Sequence, residues 1–268
     1  MSSILLSSCI YCSSNNIWKY GFYNNLQVWK CKSCGRTFTK LSASKYSRHR
    51  FPKEIILFSV MLYRHGLSSY AISEVLRKRF RTKVSAWTVC KWARKFGNIK
   101  HILKHINAKF GKIWHMDEMF IKAKGKMHYL YAVIDDKSNA IALHVSERRD
   151  MQSAILCLRK AKYIAGKPEI IVTDGWHVYP KAIRKVFGWS RKNKVKHVVA
   201  HFRKELVLHK GKWYALSNNR IEGWNSWFRR VYKGMRGFKS IVSFQRFLDI
   251  FWVLWNLKSD AWEFLEGL

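Results

Sequence analysis

Apolar residues change their spacing twice along the chain, and the change separates helical from sheet-forming stretches. After Pro52, residues Ile55, Ile56, Phe58, Ser59 and Leu62 give one helical face, which Gly66 ends. Ser68 or Ser69 can cap a second helix lined by Ala71, Ile72, Val75 and Leu76. A basic turn over 77–83 leads to Ser85, a further cap candidate, and to a third helix closed by Gly97. Val89, Trp92, Ala93 and Phe96 line one side of that helix, with Lys91, Arg94 and Lys95 opposite. From Ile113 the period shortens. Stretches 113–121 and 128–134 read as strands joined through a turn at Gly125, and 140–145 is a third strand after the turn 135–139. A helix over 151–165 follows, lined by Ala154, Leu156, Leu158, Ala161 and Ile164. Then come a strand at 169–173, a helix at 179–186, a strand at 196–200 and long helices after Asn219. A three-stranded meander followed by alternating helix and strand predicts an α/β fold with a mixed sheet.

The first forty residues obey neither period. Cys9-Ile-Tyr-Cys12 and Cys31-Lys-Ser-Cys34-Gly35 are two C-x-x-C knuckles eighteen residues apart, a spacing that places four thiolates around one tetrahedral Zn²⁺. Trp18, Tyr20, Val28 and Trp29 around Asn24-Asn25 suggest a hairpin between them. So short a segment cannot build a sufficient core without metal, so the zinc is structural. Lys30, Lys32, Arg36 and Lys40 also permit contact with DNA. The second and third helices, joined by a short turn, suit a helix-turn-helix, a pattern that any small three-helix domain shares.

Charge gives these modules a direction. The 268 residues carry 51 Lys and Arg against 16 Asp and Glu, a net charge of +35 and a pI near 10.2. An excess that repels itself throughout the fold calls for a polyanionic partner. Because the charge runs through the whole chain, nucleic acid suits it better than a membrane surface. The opening residues lack a basic stretch ahead of their short apolar run, and the apolar stretch 247–257 is too short to span a bilayer and contains Asp249. These features predict a soluble, cytoplasmic, nucleoid-associated protein with reduced cysteines, in which Cys90 and Cys157 pack in the core. The aromatic stretch Phe244, Phe247, Phe251, Trp252 and Trp255 is read as core before protomer contact.

Ten of the sixteen acids fall between Ile113 and Glu222. Asp117 lies in an apolar strand, Asp174 ends another just before Gly175, and Glu222 lies near the start of a helix. Carboxylates in apolar strands are costly unless their charge is compensated, and a divalent cation held by oxygen ligands both compensates it and does chemistry. Glu118, on the opposite strand face, competes with Asp117 for this role. With Asn219 as N-cap, Glu222 could instead be the third-position acid of a capping box. Arg229, two turns on, shares its face and could hold a phosphate. Asp135 and Asp136 read as turn formers, and Glu147 and Asp150 as cap and surface residues. His115, His128, His177 and His201 follow no zinc-binding pattern.

Four stretches carry a family resemblance: Asp117-Glu-Met-Phe-Ile-Lys-Ala-Lys-Gly-Lys-Met-His-Tyr-Leu-Tyr-Ala-Val-Ile-Asp135; Val145-Ser-Glu-Arg-Arg-Asp150; Thr173-Asp-Gly-Trp-His-Val-Tyr-Pro180; and Asn218-Asn-Arg-Ile-Glu222 through Arg229-Arg230 to Met235-Arg-Gly-Phe-Lys-Ser240. Over about 111–257 the chain resembles DDE transposases of small bacterial and archaeal insertion sequences, with separations of 57 and 48 residues between the three acids. The resemblance implies an RNase H-like mixed-sheet core, shared with retroviral integrases, over 108–268. It would be preceded by a zinc ribbon (1–45) and a helix-turn-helix DNA-binding domain (46–100). It implies Asp117, Asp174 and Glu222 as ligands of two Mg²⁺ or Mn²⁺ ions, with Arg229 as the accompanying base. It further implies a structural Zn²⁺ on Cys9, Cys12, Cys31 and Cys34, and double-stranded DNA (element ends and target) as the partner of a homodimer or larger assembly. Lys91, Arg94, Lys95, Arg229 and Arg230 would touch that DNA. Gly-Trp-Asn after Glu222 departs from the usual polar and charged residues there. The rival readings are a non-catalytic sequence-specific DNA-binding protein, such as a repressor or inactivated transposase, another RNase H-like nuclease, and an RNA-binding zinc-ribbon protein.

Overall fold

The computed structural model describes residues 8–23, 26–39, 42, 50–96, 110–188, 195–201, 203–235, 238, 240–257 and 262–263. The expected turn at Asn24-Asn25, most of the connector after Lys40, the helix stop at Gly97 and the proposed boundaries near 45 and 100–108 lie outside them. Strands β1 (Ile17–Tyr23), β2 (Leu26–Cys31) and β3 (Thr37–Thr39) form an antiparallel sheet of their own. One face closes over a small cluster of Cys9, Cys31 and Phe38, against which Ile17, Trp29 and Cys34 pack.

Helices α1 (Lys53–Arg64), α2 (Ser69–Phe80) and α3 (Ala86–Phe96) follow the predicted faces. Ser68 Oγ accepts from Ala71 N–H at 3.2 Å and Ser85 Oγ from Thr88 N–H at 3.1 Å, so both serines do cap. The apolar sides of all three helices join one cluster with the C-terminal aromatics, and Tyr63 meets Phe247 edge-on at 5.6 Å.

The central sheet has five strands: β4 (Ile113–Ala123), β5 (Lys126–Asp135), β6 (Ala140–Ser146), β7 (Ile170–Thr173) and β8 (Lys196–Val199). Their order is β6-β5-β4-β7-β8, with β5 antiparallel to both neighbours and β4, β7 and β8 parallel. This is the mixed sheet that the residue pattern predicts. Helices α4 (Met151–Ala165) and α5 (Val178–Phe187) cover the face that carries Trp114, Met116 and Ile171. Helices α6 (Asn219–Gly234) and α7 (Ile241–Leu257) cover the opposite face, which carries Met119, Ile121 and Leu130. Phe244, Phe247 and Phe251 are fully buried there, so the C-terminal aromatics are core.

Between β8 and α6 lies a hairpin that the residue pattern does not predict, β9 (Glu205–His209) and β10 (Lys212–Leu216). Val207 and Leu216 cover Ile170, Val172 and Val198, while Leu206, Leu208 and Trp213 stay exposed. With apolar residues on both faces, neither strand alternates. The turn is nonetheless a local one, with Lys210 at φ 50° and Gly211 at φ 76° as a two-residue hairpin requires.

Gly66 and Gly234 let the end of α1 lie directly on the end of α6. A Cβ at Gly66 would come 2.3 Å from the Val231 carbonyl oxygen, and Gly66 has φ +86°. Gly66→Ala therefore meets both a backbone clash and left-handed strain, and is expected to cost about 3 kcal/mol in denaturant unfolding. A change below about 0.5 kcal/mol, the ordinary range for surface sites, would show that the crossing is not fixed.

Candidate active site

The middle of β4 and the carboxyl end of β7 bring the first two acids together. Register pairs Met116 with Thr173, so Asp117 and Asp174 are the next residues on neighbouring parallel strands. Pairing between the two strands stops there, while Asp117 stays paired with Ala132 of β5. Asp117 Oδ1 accepts from Glu118 N–H at 2.8 Å, and Asp174 Oδ1 from Trp176 N–H at 3.1 Å.

The third acid arrives on α6. Asn218 occupies the N-cap position without a side-chain cap bond, so Glu222 is not the acid of a capping box. Asn225, one turn beyond Glu222, donates from Nδ2 to Asp117 Oδ2 at 2.9 Å. Further along, the Tyr232 hydroxyl joins the Lys122 backbone and Lys124 N–H donates to Phe238 O. The helix is thus fastened along β4, which sets Glu222 beside the two aspartates. Arg229 and Arg230 project from the exposed side of α6.

Burial first, then the charges of Glu118, Asp174 and Glu222, push the Asp117 carboxyl up to about 7. Glu118 is occupied elsewhere. Arg149 donates to its Oε1 from Nε at 2.6 Å, and the Tyr179 hydroxyl donates to Oε2. The Arg149 guanidinium also lies 4.5 Å from the centre of the Trp176 ring, tying the loop after Asp174 to β4. Asp135 is a turn organiser whose carboxylate accepts from the N–H groups of Gly111, Lys137 and Asn139, and Asp150 caps α4. His115 is buried and burial holds it down to about 4, so it stays neutral. His128 is also buried, whereas His177 and His201 are exposed.

The sequence reading passed over Asn225, Arg149, Trp176 and Tyr179. Asn225 had a local signal, as a polar residue on the Glu222 face of a helix between Trp224 and Phe228. The other three act across 31 and 61 residues or through a ring contact, which no local pattern encodes.

Residues 111–261 match the family described as a DDE domain. The chain belongs to the DDE transposase family. It is 35% identical over 132 residues to the transposase for insertion sequence-like element IS431mec of Staphylococcus aureus, covering 48% of this chain and 58% of that one. It is 29% identical over 143 residues to the uncharacterized protein MJ0017 of Methanocaldococcus jannaschii, covering 53% and 64%. The chain therefore spans less than two thirds of the length of these relatives. Solved structures similar to it include the HTLV-2 integrase catalytic core domain in complex with magnesium, at 15% identity and a TM-score of 0.40 over 54% of this chain and 86% of that one. The catalytic domain of Mos1 mariner transposase is similar at 14% identity and a TM-score of 0.34, over 66% and 92%.

The donor sets of this family member suit two kinds of metal. Cys9, Cys12, Cys31 and Cys34 place their sulfurs within 4.8 Å of one another, the only such set among the described residues. The Cys9–Cys34 and Cys12–Cys31 separations of 3.6 Å approach the ~3.8 Å edge of a tetrahedron with ~2.3 Å Zn–S bonds. Asp117, Asp174 and Glu222 are not so tightly grouped. Two ions roughly 4 Å apart need their oxygen ligands spread around them, so an open carboxylate set is compatible with such a pair. Among the described residues the buried Oδ1 of Asn225 has no hydrogen-bond partner, which leaves one more oxygen in the same place.

The Asp117 shift carries a stability consequence. Its ordinary value is 3.8, so between about 4 and 7 the folded chain holds a proton that the unfolded chain has lost. This group therefore lowers stability as pH rises through that window, and the penalty stays constant above it. In EDTA at pH 8, Asp117→Asn is expected to melt higher than the native chain by roughly 5 °C, with the difference vanishing at pH 4. Equal melting temperatures at pH 8 would show that the charge is not confined.

Proposed function

We propose that this chain is a transposase that binds the terminal inverted repeats of an insertion sequence, cuts 3′ strand ends by hydrolysis and joins them to target DNA. The observation that carries the reading is the placement of Asp117 and Asp174 side by side, each just beyond the last paired residues of the parallel strands β4 and β7, with α6 and its Glu222 fastened beside them through Asn225. Those three carboxylates would hold two Mg²⁺ or Mn²⁺ ions. When bound, such ions activate the attacking water or 3′-hydroxyl and stabilise the leaving oxygen of the phosphodiester.

The residues divide the remaining work. Asn225 keeps Asp117 in one orientation, and the Arg149–Glu118–Tyr179 network holds the loop that carries Asp174. Arg229 places a cation two turns from Glu222 on the same face, where it would hold a DNA phosphate. The helix-turn-helix and ribbon would bring the element end. On α3, Lys91 and Arg94 lie 5.8 and 4.7 Å from the ring centre of exposed Trp87, on the side away from Val89 and Trp92. Lys95 is half-buried at the edge of that face. Zn²⁺ on the four cysteines would support the ribbon, and two or more protomers would hold two ends. Among the described residues no helix is long and apolar enough to cross a membrane, and we place the protein in the cytoplasm, at the nucleoid.

A strand-transfer assay tests the proposal. With a labelled element end, a supercoiled target and Mg²⁺ or Mn²⁺, joined products are expected, with binding that weakens steeply as salt rises. Tight end binding without nicked or joined product under either metal would favour the non-catalytic reading.

A further inference from the structure

The outer face of the ribbon sheet is built from residues that a small domain ordinarily hides. Strand β1 lies at the sheet edge, and its inner face packs on the cysteine cluster through Ile17. On the other face Trp18 stands opposite Lys30 and Tyr23 opposite Leu26. Trp18 is 42% exposed, Tyr23 68% and Leu26 36%. The register shift between Lys19 and Gly21 leaves Tyr20 out of the ladder as a bulge. Its ring, 53% exposed, meets Trp18 edge-on at 5.3 Å, and the Lys30 ammonium lies 5.0 Å from its centre. The surface is thus a row of rings with a cation set among them.

Charge identifies what would cover it. The first acidic residue of the chain is Glu54, and nine Lys and Arg precede it. No carboxylate within this segment is available to Lys19, Lys30 or Lys32, so the cations around the rings are left for an anion from outside. A partner needs flat apolar groups to lie on Trp18, Tyr20 and Tyr23, and negative charge at the spacing of the lysines. Nucleotides with unpaired bases supply both, whereas duplex DNA keeps its base faces stacked inside. We propose that the outer face of β1 binds single-stranded DNA by stacking unpaired bases on Trp18, Tyr20 and Tyr23, with Lys30 holding the adjoining phosphate. This surface is separate from the carboxylate site. It rests on the DNA-binding part of the proposed function alone and would serve at a strand that is frayed or displaced beside the duplex end.

The test compares the 268-residue chain on a labelled blunt duplex and on the same duplex with a single-stranded tail of about eight nucleotides. The native chain is expected to prefer the tailed DNA by about tenfold or more, since stacking contributes at each base. In the triple variant Trp18→Ala, Tyr20→Ala and Tyr23→Ala that preference should fall to about one, with blunt-duplex affinity within about twofold and zinc content unchanged. The variant Trp18→Phe with Tyr20→Phe should keep the preference, because the rings remain. A native chain that binds both DNAs equally overturns the proposal. So does a zinc-loaded triple variant that retains the preference, or one that changes protomer association and not tail binding. Failure to bind the blunt duplex at all would instead count against the proposed function. A photo-crosslink from 5-iodouracil in the tail needs no variant. Attachment within 17–23 supports the assignment, and attachment confined to other segments overturns it.

Discussion

Asp117→Asn, Asp174→Asn and Glu222→Gln are each expected to lower strand transfer by about 10³-fold or more, with element-end binding kept within about twofold. Each change keeps the shape of the side chain and removes one anionic oxygen donor, so the fold has little reason to move. Asn at 117 still offers one oxygen, to Asn225 Nδ2 or to Glu118 N–H but not to both, and Trp176 N–H can still donate to an amide oxygen at 174. What is lost is the charge that offsets a divalent cation among half-buried groups. Because the three acids would act on the same ions, a double variant should be scarcely worse than a single one. Direct metal binding separates this from a folding defect. Calorimetric titration with Mn²⁺ should lose its heat in each variant, while the melting temperature in EDTA stays equal or rises. Activity retained in any one variant would remove that residue from the metal-binding set, and loss of DNA binding together with activity would point to a structural role.

Zinc removal should have the second large effect, confined to the ribbon. The cluster behind β1 to β3 contains three fully buried residues, two of them cysteines, so almost nothing apolar remains to hold the sheet once the thiolates are free. Structural zinc contributes on the order of 10 kcal/mol to domains of this kind. Chelation, or Cys9→Ser, is therefore expected to release one zinc per chain and to abolish amide-exchange protection over 17–39. Protection in the five-stranded sheet should persist, because its strands bury their own apolar faces against α4 to α7. The element-end complex should weaken, while the melting transition of the core moves little. Unchanged exchange over 17–39 after complete zinc loss would show that the ribbon stands without metal.

The positions of most elements were legible because their period was. The helix at 151–165 has the same bounds in sequence and structure, and the strands of the central sheet differ from their expected ends by only one or two residues, since most of them are rich in apolar residues and bounded by turn or polar stretches. Asp117 and Asp174 stood out for the same reason, one as a charge inside such a run and the other as a charge at the end of one. The hairpin of β9 and β10 did not, because Leu206, Leu208 and Trp213 are apolar and exposed, so its strands lack the alternation that marks a half-buried sheet. Glu222 was legible as a candidate but ambiguous against a helix cap, and the ambiguity ended only when the helix was seen to start at Asn219.

By itself the sequence determined the basic, mixed α/β character of the chain, the four-cysteine set and the three candidate acids, because residue type and local spacing decide those. Tertiary structure alone decided which groups meet. Parallel pairing of β4 with β7 put residues 57 apart next to one another, and Asn225, 108 residues from Asp117, reached the first of them from a helix. It also decided that Glu118 is held by Arg149 and Tyr179, that the first three helices share a core with α7, and that the face of β1 carrying Trp18 is left open. Pairing of this kind depends on which faces must be buried against one another, and that is a property of the whole chain rather than of any stretch of it.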